Sequence, residues 1–208
     1  MRKALLLAAC LLAVSLAGCG KEQSELYDRG MEAMEEQDYV TAIGMFQGAV
    51  DAGERLAESY RAIGIAYLES AEYDKAAEAF QNSRDAMKYK NEDFQKDIMF
   101  YQARALQLAG NTDEALDVYD QMEEAFPDGD VYFSRGCLYL NLKEYDSARE
   151  DFEKASDEDK SYEMCLNIYQ MYQDSSMKAD GDSFLEKAAG ISPKDAEDYY
   201  ELGCVYYY

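Results

Sequence analysis

Histidine and tryptophan are absent from this 208-residue chain, proline occurs twice, and acidic residues outnumber basic ones by 43 to 20. Each shortage excludes something. Without histidine, the commonest general base and a principal zinc ligand are missing. No Gly-rich phosphate loop, nucleophile elbow or metalloprotease helix takes their place. Carboxylate neighbours such as Glu35/Glu36 and Glu123/Glu124 read as solvated faces. The stretch "KADGDSFLEK" has some of the look of a calcium loop. Aligning Gly181 with the glycine of an EF-hand, however, puts Lys178 and Lys187 where carboxylates belong. The chain therefore reads as no enzyme, with no catalytic residue, no cofactor and no metal. A net charge of −23 without any basic cluster excludes nucleic acid and favours a basic partner.

Cysteine is scarce in usable form. Of five cysteines, Cys10 lies in the N-terminal apolar run and Cys19 closes it. Cys137, Cys165 and Cys204 remain, an odd set without a CxxC pair, and read as small helix-packing residues rather than a disulfide framework. The scarcity of proline and glycine leaves long stretches free of helix breakers. Abundant Ala, Glu, Met and Tyr favour helix, and 48% hydrophobic content is enough for a core.

The one long apolar run is at the start. Arg2 and Lys3 precede Ala4 to Leu16, and small residues Ala17 and Gly18 follow, which are the three parts of a secretory signal. The run is too short for a membrane span, which needs about 20 apolar residues. Leu16-Ala17-Gly18-Cys19 resembles the bacterial lipobox. That resemblance implies cleavage of residues 1–18, a diacylglycerol (and palmitate) on Cys19, and residence on the outer side of a bacterial cell membrane or on the outer membrane. Loss of Arg2 and Lys3 would move the net charge from −23 to −25. Two acyl chains, at about 0.8 kcal/mol per buried CH₂, would hold even so acidic a chain at an anionic leaflet.

Beyond Cys19 the chain repeats itself. Ala42, Ala76, Ala115, Ala148 and Gly181 recur at intervals of 34, 39, 33 and 33 residues. Twelve residues before each stand Gly30, Gly64, Ala103, Gly136 and Tyr169. Four after each come Phe46, Phe80, Tyr119, Phe152 and Leu185, and three further on Ala49, Ser83, Met122, Ala155 and Ala188. Turn signals "QD", "AE", "AGN" and "KE" before Tyr39, Tyr73, Thr112 and Tyr145 separate pairs of helices. Pro127 and Pro193 close two of the units.

This pattern resembles the tetratricopeptide repeat, W-x₂-L-G-x₂-Y…A-x₃-F…P over 34 residues. The resemblance implies an all-α fold, a right-handed superhelical solenoid of about five helix-hairpin repeats plus one terminal helix. We place an anchor and short linker at 19–23 and the array at 24–208, with repeats at 23–56, 57–90, 96–128, 129–161 and 162–195 and a partial unit at 196–208. Arg29 and Ala33 make the first unit look like a polar cap. The added residues around "MKYKNED" lengthen a loop or helix end, and Tyr169 in a small-residue slot distorts the packing of unit five. The chain ends on an apolar helix without its mate, so the array is expected to continue past Tyr208.

In the family, the first helix of each pair lines a concave groove. Threading places Tyr27, Met31, Ile65, Leu68, Phe100, Tyr101, Arg104, Phe133, Leu166 and Tyr200 on or near it, rimmed by Asp97, Asp130 and Glu163. Such a strip suits a peptide or helix with apolar anchors and flanking lysines. Arg61 and Arg104, two arginines on separate repeats, do not reproduce the two-carboxylate clamp by which cytosolic members hold acidic tails. The chain thus reads as an extracytoplasmic lipoprotein that binds another protein. The alternatives are an assembly lipoprotein that permanently holds subunits of an envelope complex, and an accessory domain to a catalytic region beyond Tyr208.

Overall fold

The computed structural model describes residues 19–53 and 55–207, with side chains from residue 25 on; the signal-like segment 1–18 lies outside them. Among the described residues there are eleven α-helices and no strand. They are α1 (Cys19–Glu35), α2 (Tyr39–Asp51), α3 (Leu56–Glu69), α4 (Tyr73–Asp85), α5 (Glu92–Ala109), α6 (Thr112–Ala125), α7 (Gly129–Asn141), α8 (Tyr145–Glu158), α9 (Tyr162–Asp174), α10 (Lys178–Ala189) and α11 (Ala196–Tyr207). Because α1 starts at Cys19, the residues read as a linker at 19–23 are helical. The helices form two compact units, one up to Val118 and one from Tyr119 on.

One turn recurs at the end of each first helix. Gln37, Ala71, Gly110, Lys143 and Ser176 all have φ between 58° and 84°, and they are spaced by the same intervals as the small-residue slot. At Ala71, its N–H donates to Leu68 O at 3.1 Å and the Glu72 N–H donates to Tyr67 O at 2.9 Å. That pair of bonds satisfies two carbonyls the helix end would leave open, and the same pair recurs at the other four turns. Several N-termini are closed by side chains: Asp38, Asn91, Asp128 and Ser161 each accept from the N–H three residues on.

In the first unit, α1 packs on α2 and α3 on α4 through the slots visible in the sequence. A Cβ on Gly30 would stand 2.6 Å from the Phe46 ring, and one on Gly64 would stand 2.6 Å from the Phe80 ring. Only glycine lets the ring lie against the helix backbone. Ala42, Ala49, Ala76, Phe46 and Phe80 are all fully or almost fully buried. The extra residues between repeats two and three lie in segment 86–91 and in α5, which at 18 residues is the longest helix among those described.

The second unit repeats the device and varies it. Gly136 meets the Phe152 ring, with a Cβ there only 2.9 Å away. In α9 and α10 the sizes are exchanged. Tyr169 is fully buried, and it fits because the facing residue is Gly181, whose Cβ would sit 3.0 Å from the Tyr169 ring. The large side chain of α10 is then Phe184, 2% exposed, and not Leu185 as the phase of the repeat predicts. The reason is this exchange. With Tyr169 already occupying the space next to Gly181, the aromatic slot moves one residue back, and Phe184 stacks 6.0 Å from Tyr172.

Two buried polar networks stand in phase at the position before the small slot. In the first unit Gln102 donates to Gln81 at 3.0 Å and accepts from Arg84 at 2.8 Å. In the second, Arg135 donates from Nε and Nη2 to Asp151 at 2.8 and 2.9 Å. Its Nη1 lies 2.7 Å from Asp120 and 2.6 Å from Glu123. Burial alone would lower the Arg135 pKa, but the hydrogen bonds it donates to Asp151 and Glu123 raise it, so the group is permanently charged. A buried network of this kind selects one neighbour and one register rather than adding much stability.

Candidate protein-interaction face

The residues proposed for binding lie on first helices, and each unit arranges its own. On α1, the half-buried Tyr27 packs its ring 5.3 Å from Phe46, with the Arg55 guanidinium 3.8 Å above it, while Met31 is 42% exposed. On α3, Ile65 is half-buried and Leu68 is in the core at 8% exposure. Leu68 is therefore no groove residue. It lies at C2 of α3, where the recurrent turn folds back over it. On α5, Phe100 and Tyr101 are half-buried and Arg104 is exposed.

Tyr101 links two first helices. It stacks on Phe80 at 5.5 Å, and Arg61 of α3 reaches over its ring at 5.3 Å while donating to Asp97 of α5 at 2.5 Å. Burial would lower the Arg61 pKa, yet the bond and charge of Asp97 leave it raised. Asp97 thus holds Arg61 and does not stand ready for a ligand's lysine, which corrects its reading as a rim acid.

In the second unit, Phe133 of α7 is half-buried, 5.9 Å from Phe152, and Leu166 of α9 packs against the same core. Asp130 and Glu163 are exposed on α7 and α9, and Tyr200 on α11 is 74% exposed. The structure therefore divides the sequence-derived set. Tyr27, Tyr101 and Phe133 each brace a slot aromatic, whereas Met31, Arg104 and Tyr200 are exposed. Around Glu201 of α11, burial first, then Glu163, Glu197, Asp198 and Asp195, hold its carboxyl above the usual range.

The thiols Cys137, Cys165 and Cys204 are free. Burial pushes Cys137 up to about 12, so it is an inert packing residue. Among the described residues no group of side chains has the makings of a metal site, and no helix is long and apolar enough to cross a membrane.

Helix pairs, joined by one recurring turn and closed at Gly30, Gly64, Gly136 and Gly181 by an aromatic ring on the glycine, define a helix-hairpin repeat protein. Models of the tetratricopeptide repeat match residues 27–88 and 61–130, and a further one matches 129–162. The chain belongs to the tetratricopeptide repeat family. A tetratricopeptide repeat protein from Parabacteroides merdae superimposes with a TM-score of 0.65 at 17% identity, over 90% of this chain and 73% of that one. MamA from Desulfovibrio magneticus, from its residue 41 to the end, gives 0.63 at 15% identity over 82% and 94%. YrrB, described as a TPR protein with an unusual peptide-binding site, gives 0.57 at 17% identity over 88% and 96%. At such identities the likeness is one of fold. No curated protein matches the chain in sequence.

Proposed function

We propose that this chain is a lipid-anchored, extracytoplasmic adaptor that binds a protein segment along the first helices of its repeats. A fold of this family is an interaction module, and YrrB, which shares it, is described as having a peptide-binding site. The observation that carries the choice of face is the contrast between helices. Tyr145 apart, the exposed positions named on α4 and α8 are charged, as at Asp74, Lys75, Glu78, Arg149, Glu150 and Glu153, whereas α1 keeps the apolar Met31 exposed and α5 keeps Phe100 half-exposed beside the exposed Arg104. The partner fits as an extended or helical segment with apolar anchors. Asp97, already held by Arg61, is not the acid that lysines beside those anchors would meet.

The anchor is the second half of the reading. Leu16-Ala17-Gly18 precedes α1 in the sequence and Cys19 is the first residue of that helix, so a lipid on Cys19 would leave almost no tether between bilayer and first repeat. Lipid metabolic labelling tests it: label should enter the wild-type chain and vanish in Cys19→Ser, and labelled Cys19→Ser would contradict it. Binding is tested by purification from native membranes. Met31→Asp with Arg104→Glu should lose the partner, while Glu78→Lys with Glu153→Lys should keep it. Equal losses in both would remove the assignment of the face.

A further inference from the structure

The residues inserted between repeats two and three form the segment 86–91, "AMKYKN", directly ahead of α5. Tyr89 is 85% exposed, and Lys88 and Lys90 on either side of it are exposed as well. Beyond Arg2 and Lys3 no other two basic residues of this acidic chain stand so close in sequence, and no acid lies among the six. A tyrosine so exposed adds nothing to the core.

The direction of the helices decides which edge of the first unit carries this segment. A Cβ on Gly30 would meet Phe46 and one on Gly48 would meet Leu26, so α1 and α2 run antiparallel. In α3 and α4, Gly64 faces Phe80 and Ser83 donates to Ala57 O at 2.6 Å, again antiparallel. For α4 and α5, Asn111 donates to Asp74 at 3.1 Å and Gln102 to Gln81 at 3.0 Å, with the same sense. Arg55, directly before α3, covers the Tyr27 ring in the first half of α1 at 3.8 Å. The starts of α1, α3 and α5 therefore share one edge. A hollow of about 290 Å³, lined by Arg55, Leu56, Glu58, Lys88, Tyr89 and Phe94 among others, marks where the α2–α3 and α4–α5 connections meet on it. Two helices overreach this edge. Counted back from the slot residue, α1 starts eleven residues before Gly30 and α5 eleven before Ala103, but α3 only eight before Gly64. Three residues are about 4.5 Å of helix. Cys19 and segment 86–91 thus project past α3 together.

We propose that segment 86–91 is a membrane contact: Tyr89 enters the headgroup region of an anionic leaflet while Lys88 and Lys90, with Arg55 beside them, meet lipid phosphates. This rests on the lipid anchor proposed at Cys19, which brings the shared edge to the bilayer. Tyrosine suits that boundary because its ring is apolar and its tip is wet. Each lysine close to an anionic surface favours the contact about fivefold. Neighbouring acids temper the attraction. Glu92 pairs with Lys90 at 2.6 Å, Glu58 lines the hollow, and Asp51, Asp85 and Asp93 are exposed at the adjoining helix ends. The contact is therefore weak alone and depends on the local concentration that the tether supplies. Its effect is orientation: the first unit is held with this edge toward the bilayer.

The chain has no tryptophan, so Tyr89→Trp introduces a single fluorescent reporter into the full chain. In the lipid-labelled protein, reconstituted into phosphatidylethanolamine vesicles containing phosphatidylglycerol, the reporter at position 89 should shift to the blue and be quenched by brominated acyl chains. Val40→Trp is the control, because Val40 is 83% exposed at the start of α2, on the opposite edge of the same unit. The reporter at position 40 should stay unshifted and unquenched. Lys88→Gln with Lys90→Gln should abolish the quenching at position 89 with an unchanged melting temperature. A labelled chain quenched no more at position 89 than at position 40, or quenched as strongly in pure phosphatidylcholine vesicles, overturns the contact and leaves the anchor standing. A chain that takes up no lipid label removes the anchor, and the contact with it.

Discussion

The same substitution should have opposite signs at two glycines of this chain. Gly44 and Gly64 both lie inside helices, α2 and α3. Replacing an interior helical glycine by alanine gains about 0.8–1.0 kcal/mol from helix propensity. At Gly44 a Cβ meets nothing within 4 Å, so Gly44→Ala should deliver that gain in full. At Gly64 it would stand 2.6 Å from Cε1 and 2.8 Å from Cδ1 of Phe80. That ring is fully buried and is stacked on Tyr101 at 5.5 Å, so it has nowhere to retreat. Overpacking of this kind costs about 1–3 kcal/mol and more where the neighbour is locked. Gly64→Ala should therefore be net destabilising, and the two variants should differ by about 2–3 kcal/mol. Urea unfolding followed by circular dichroism reads both, and Gly64→Ala with Phe80→Leu should recover part of the loss. If Gly64→Ala stabilises the protein as much as Gly44→Ala, the ring-on-glycine account of helix pairing fails.

Arg135→Met should cost about 3–5 kcal/mol by chemical denaturation, because it strands Asp151, whose side chain is 4% exposed; Asp151→Leu in the same chain should restore most of it. The Arg135 hydrogen bond holds the Glu123 carboxyl below its ordinary 4.5. Its stabilisation is present above that value and is lost as pH falls through the lower folded one, so Arg135→Met should also flatten the acid limb of stability. At the recurring turn, Gly110→Ala should cost about 1 kcal/mol for its φ of 84°, while Lys143→Gly should cost nothing and gain up to about 1 kcal/mol. A neutral Gly110→Ala would mean that the turn relaxes without the left-handed residue.

The helix pairs were legible because their signal is periodic. A small residue followed four positions on by an aromatic one recurs four times, with Gly181/Leu185 as a fifth apolar pair, and that single mismatch does not disturb the phase. The turns before Tyr39, Tyr73, Thr112 and Tyr145 were legible for the same reason. What escaped depends on contacts distant in sequence. Arg135 looks like a surface residue until Asp151, Asp120 and Glu123 close around it. Phe184 replaces Leu185 only because Tyr169 and Gly181 exchange sizes across two helices. The binding face was legible as a side of the first helices, but not residue by residue. Tyr27, Tyr101 and Phe133 sit at surface-facing positions and yet brace Phe46, Phe80 and Phe152. Asp97 read as a rim acid because nothing local to it announces Arg61, 36 residues earlier.

The central claim is that the first helices form the binding face, and photocrosslinking in living cells tests it most directly. A benzoyl-phenylalanine placed singly at Met31, Phe100 or Arg104 should give one common protein adduct. The same probe at Glu78 or Glu153 on the second helices should give none. Adducts of equal yield from both sets, or from Glu78 and Glu153 alone, would contradict the account.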